Sequence, residues 1–71
     1  MDENERKEAL REHLLARANL EIVPLRVTDR FAVVSLPLAW HWPDFMEAME
    51  EIGWELVHGI GGGAVLFRKS R

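Results

Sequence analysis

Residues 42–57 read WPDFMEAMEEIGWELV, and the hydrophobic period changes part-way through them. Up to Ile52 the apolar residues Trp42, Phe45, Ala48, Met49 and Ile52 recur every three or four positions, as on one face of a helix. Glu47, Glu50 and Glu51 fall away from that face, so the helix has an acidic back. Pro43 suits the first helical turn, where a missing N–H costs nothing, and Asp44 and Glu47 suit the positive end of the helix dipole. Gly53 fits the position just past the helix end, where a left-handed backbone is wanted. From Trp54 the pattern becomes that of a strand, WELVHGI. The turn Gly61-Gly62-Gly63 then leads into a second strand, AVLFRKS, which predicts a hairpin.

Upstream, LEIVPLRV and FAVVSLPL are runs rich in β-branched residues separated by Thr28-Asp29-Arg30, and they predict another hairpin. Pro24 cannot donate to a sheet ladder, so the first strand belongs at an edge or carries a bulge. The second run is apolar on both alternating faces, Phe31 and Val33 on one and Ala32, Val34 and Leu36 on the other, which predicts a central strand covered on both sides. Asp2 and Glu5 have capping-box spacing ahead of a run of strong helix formers, so a helix is expected over about residues 3–18. Its apolar stripe is thin: Leu10, Leu14 and Ala18 share a side, and Leu15 lies off it.

The fold class expected is therefore α+β, an N-terminal helix followed by a ββαββ unit over about residues 20–70. Its four strands are expected to form a mixed sheet, in a two-layer or dimeric sandwich, with a right-handed crossover if the second and third strands are parallel. The short second helix is expected on one sheet face, with the thin first helix unable to seal the other. Apolar sheet surface is left over, and monomers rarely expose such a patch.

Seventy-one residues make one domain, 1–71, and a chain this short buries only about 60–65% of its unfolded surface. With no cysteine, disulfides and the commonest structural zinc sites are excluded, and self-association becomes the natural source of extra stability. A composition 48% hydrophobic and 30% charged is that of a folded domain and not of a disordered tail. The N-terminal stretch is charged throughout, without the apolar core of a signal peptide, and no segment approaches the ~18 apolar residues of a membrane span. A cytoplasmic location with no membrane partner is the expectation. The formal net charge is only -3, but between Phe31 and Phe67 there is no Lys or Arg while Asp44, Glu47, Glu50, Glu51 and Glu55 all fall there.

The helix ending in Gly53, the run Gly53-Trp54-Glu55-Leu56-Val57, the glycine turn and the closing strand Leu66-Phe67-Arg68-Lys69 together resemble a group of small uncharacterised bacterial proteins. In that group a helix delivers a Gly-Trp-Glu-Leu-Val strand and a basic strand closes the chain. The likeness covers about residues 45–70 and implies a helix-hairpin fold. The group has no assigned reaction, so the resemblance supplies no functional residue.

Catalytic signatures are missing. GIGGGAV could cradle an anion, but a P-loop needs Lys-Ser/Thr and a helix after its glycines, and here a strand follows. The serines have no partnered base, and His13, His41 and His58 lack metal-ligand spacing to one another; His41 with Asp44 is the one pair that could share a metal, and a corner histidine explains it as well. Neither enzymatic activity nor a cofactor is expected. The acidic middle argues against direct nucleic-acid binding, since only Arg68-Lys69-Ser70-Arg71 is basic. In PLAWHWPD, residues 37–44, Trp42 reads as a wedge between helix and sheet. Trp40 and His41 are left on the connection, where large aromatics typically anchor protein interfaces.

The expected function is a small non-enzymatic protein-interaction module, homodimeric, with Trp40, His41, Glu47, Glu50 and Glu51 as candidate partner-binding residues. One alternative is an acidic mimic of nucleic acid, in which those glutamates occupy the groove of a basic nucleic-acid-binding protein, as phages and mobile elements encode. A second is a small-ligand-binding domain.

Overall fold

The computed structural model describes residues 2–35 and 42–70. Six elements follow in the expected order: α1 (Glu3–Ala18), β1 (Val23–Val27), β2 (Phe31–Ser35), α2 (Trp42–Glu51), β3 (Trp54–Gly59) and β4 (Ala64–Lys69). α1 is capped at both ends. The Asp2 side chain accepts from the Glu5 amide at 2.8 Å, and Asn19 closes the helix in the left-handed region at φ 54°. The Asn19 and Leu20 amides reach back to the Leu15 and Leu14 carbonyls, and buried Leu20 anchors the exit. Gly53, at φ 88°, ends α2 in the way its sequence position implied.

The sheet is antiparallel throughout, in the order β1-β2-β4-β3, and so is not the mixed sheet expected from the sequence. β2 and β3 do run parallel, but β4 lies between them and pairs with both. The physical reason is visible in the register. β4 sets Val65 and Phe67 directly opposite Val34 and Ala32, so it carries the better apolar face for a central position. β3, with Glu55 and His58, goes to the edge. β1 is the other edge and is bulged between Pro24 and Arg26, as the proline required.

Both helices pack on one face of this sheet. Leu10 and Leu14 of α1, Phe45, Ala48 and Met49 of α2, and Ala32, Val34, Val65 and Phe67 of the central strands form a single core. Phe45 meets Phe67 edge-on, centroids 5.3 Å apart at 78°. The His13 ring is tied to the Ala48 carbonyl at 3.2 Å, which locks α1 to α2. The expectation that β2 is covered on both sides is therefore corrected for the single chain: Ala32 and Val34 are buried, whereas Phe31 is 43% exposed and Val33 half-buried. No described helix is long and apolar enough to cross a membrane.

Candidate functional site

Residues directly opposite in antiparallel strands share a face, so the register defines the uncovered surface row by row. One row runs Arg26, Val33, Leu66 and His58 across all four strands. A second holds Phe31, Arg68 and Glu55, and a third Val23, Ser35 and Ala64. The centre, Val33 and Leu66, is apolar, and the surrounding residues are mixed, Arg26, His58, Glu55 and Arg68 with exposed Phe31 and Val23. Glu55 and Arg68 lie opposite one another at one end, so charges of both signs frame that end of the patch. Among the described residues no helix lies over this face.

Each edge of the sheet carries features that hinder a further strand. Along β1, Glu3 accepts from the Val27 amide at 3.1 Å and from Arg26 Nε at 2.6 Å, so helix α1 supplies a carboxylate where another strand would pair. The Arg26 hydrogen bond, followed by that of Val27, holds the Glu3 carboxyl below the usual glutamate range. β3 is bulged between Leu56 and His58, and His58 Nδ1 donates to the Gly59 carbonyl at 2.8 Å. Bulges and occupied backbone groups are how sheets avoid edge-to-edge growth.

The residues singled out from the sequence do not gather on this face. Trp40 and His41 lie outside the described residues. Glu47, Glu50 and Glu51 are exposed on the back of α2, which packs over the covered face and therefore lies on the other side of the molecule. Glu51 is also engaged: Arg17 of α1 clasps it with Nε at 3.0 and 2.9 Å and with an NH2 group at 2.7 Å. That bidentate hydrogen bonding lowers the Glu51 pKa and raises that of Arg17. The acidic back is thus partly neutralised by the protein's own arginine. Among the described residues, no group of three His, Asp or Glu side chains is placed to hold a metal ion.

Sequence reasoning assigned no binding role to Leu66, Arg68 and Val33. The signal was present in the alternation of β4, where Leu66 points away from Val65 and Phe67, but it needs the strand order to be read. No protein-family model, curated protein or solved structure matches the chain. The functional reading therefore rests on the geometry alone.

Proposed function

We propose that this protein is a non-enzymatic interaction module whose working form is a homodimer, two copies stacking their open sheet faces with Val33 and Leu66 at the centre. The observation that supports this reading is an apolar sheet face over which no helix lies among the described residues, combined with edges whose bulges and engaged backbone groups hinder a further strand, which favours face-to-face packing. Four strands about 4.8 Å apart and about five residues long give a flat footprint of roughly 300 Å². Side chains standing on it about double the accessible area, so a stacked pair buries roughly 1,200 Å² in all, the lower bound of specific interfaces. An interface at that lower bound suits weak, reversible association, so the micromolar range is the one to test. A second copy also suits the polar margin, because a two-fold axis can bring Glu55 or Phe31 of one chain to Arg68 of the other.

Sedimentation equilibrium across the micromolar range tests this. The wild-type chain should move from its monomer mass of 8.2 kDa toward twice that value with rising concentration, with little dependence on salt. Leu66→Lys places an ammonium on each side of the interface and should weaken association by roughly 100-fold while leaving the monomer folded. A monomer at every concentration, or a dimer indifferent to Leu66→Lys, would rule the reading out.

A further inference from the structure

The thin apolar stripe of α1 leaves a cavity of about 330 Å³ beneath its first half, on the helical side of the sheet and separate from the open face. Its floor is Leu10, Val27, Ile52 and the indole of Trp54. Arg6 and His13 from α1, Lys69 from the end of β4 and Asp29 from the β1–β2 turn complete the wall. Arg6 and Lys69 against the one carboxylate leave a single net positive charge, in a chain whose overall charge is -3. Lys69 Nζ lies 4.5 Å from the Trp54 ring centroid and donates to the Ile52 carbonyl at 3.1 Å, which fixes its position with N–H bonds to spare. Among the described residues, Arg6 has no carboxylate within ion-pair distance. An oriented ammonium and an uncommitted guanidinium beside the accessible apolar side chains of Ala9 and Ile52 are the parts of an anion site with a small apolar body.

We propose that this cavity binds a small organic monoanion, its carboxylate held by Arg6 and Lys69 and its small apolar body resting on the accessible Ala9 and Ile52 side chains, beside the Lys69–Trp54 pair. The size sets the limit on the body, since a volume of this order is at the small end of ligand pockets, ~300–1,000 Å³. The net charge sets the class: one negative charge balances the wall, and a dianion would leave charge uncompensated beside Asp29. Charge-assisted hydrogen bonds supply the discrimination against neutral analogues.

The test is a ¹H–¹⁵N NMR titration of the full chain with phenylacetate and indole-3-acetate, with phenylacetamide as the neutral counterpart and phenyl phosphate as the dianion. Saturable shifts are expected at the Trp54 indole N–H and at the Ala9, Leu10 and Thr28 amides, with the amide ligand and phenyl phosphate each binding at least about tenfold more weakly than phenylacetate. Arg6→Gln should weaken carboxylate binding by a similar factor. Ala9→Leu, a substitution helices tolerate well, should fill the cavity mouth and abolish the shifts without unfolding the chain. The proposal is overturned if neither carboxylate shifts these resonances, if phenylacetamide or phenyl phosphate binds as well as phenylacetate, or if Arg6→Gln or Ala9→Leu binds like the wild type.

Discussion

Trp54→Ala separates the core from the open face most sharply. Trp54 is only 5% exposed; it begins β3 directly after the α2 cap and receives Lys69 on its ring. Large-to-alanine truncation of a buried tryptophan costs about 3–5 kcal/mol, and loss of the ammonium contact adds about 0.5–1 kcal/mol. Because the ring already lines a cavity, water can enter the vacated space, which keeps the total near 4 kcal/mol. A 71-residue domain has about 4–10 kcal/mol of stability to lose, so the variant should be marginally folded or unfolded at room temperature. The assay is urea denaturation followed by far-UV circular dichroism, at protein concentrations low enough that the proposed dimer does not contribute. Phe31→Ala is the control. Its ring is 43% exposed on the open face, and the substitution should cost the monomer less than about 1 kcal/mol. If Trp54→Ala lowers stability by less than about 1 kcal/mol, or less than Phe31→Ala does, the division into a covered and an open face is wrong.

The two helix ends give a matched pair of expectations. Gly53→Ala should destabilise by about 1–2 kcal/mol in the same denaturation assay, because φ 88° is strained for any residue with a Cβ. At Asn19, φ 54°, alanine should cost about 1 kcal/mol while glycine is neutral or slightly stabilising. Acid sensitivity follows from Glu3 and Glu51, whose folded pKa values are depressed by Arg26 with Val27 and by Arg17 respectively. Their contribution is fully present above the ordinary glutamate pKa, about 4.3, and is lost as pH falls through the lower folded values. Thermal melts between pH 7 and 2.5 should show that loss below about pH 4.3, and the double variant Glu3→Gln with Glu51→Gln should flatten it; an unchanged slope would deny these pairs any role.

Element order and most boundaries were legible from local chemistry. Asp2 and Gly53 mark helix ends because their backbone needs are local, and Pro24 announced its edge strand because a missing N–H is a local fact too. The thin stripe of α1 also read true, Leu10 and Leu14 buried and Leu15 49% exposed. Asn19, directly after the last residue of the Leu10-Leu14-Ala18 stripe, is itself a local stop signal, and its left-handed backbone fulfils it. The candidate binding residues fared differently. An acidic helix back is visible in sequence, but the Arg17 that clasps Glu51 is 34 positions away, and such a partnership depends on how α1 crosses α2.

Strand order was the decisive illegible quantity, and the side on which α1 packs follows from it. With two hairpins joined by α2, either β3 or β4 could have docked beside β2, and each choice satisfies the local pattern of turns and alternation. What selects β4 is a sum over pairs: Val65 and Phe67 meet Val34 and Ala32, and Phe67 also meets Phe45 from α2. β3 offers one buried residue, Trp54, which already fits beneath the α2 exit. With β4 central, the strongest apolar surface of the sheet lies under α2, and α1 gains more by extending that same core through Leu10 and Leu14 than by starting a second one with two leucines. Among the described residues, the two-sided apolar character of β2 then has no internal explanation. Phe31 and Val33 stand on a face over which no described helix packs, between edges hindered by a bulge and a carboxylate on one side and a second bulge on the other. A monomeric solution to that surface would place charges along β2. The chain instead keeps its charges at the margin, Arg26 on one side and Glu55 with Arg68 on the other, an arrangement consistent with the proposed stacking of two copies.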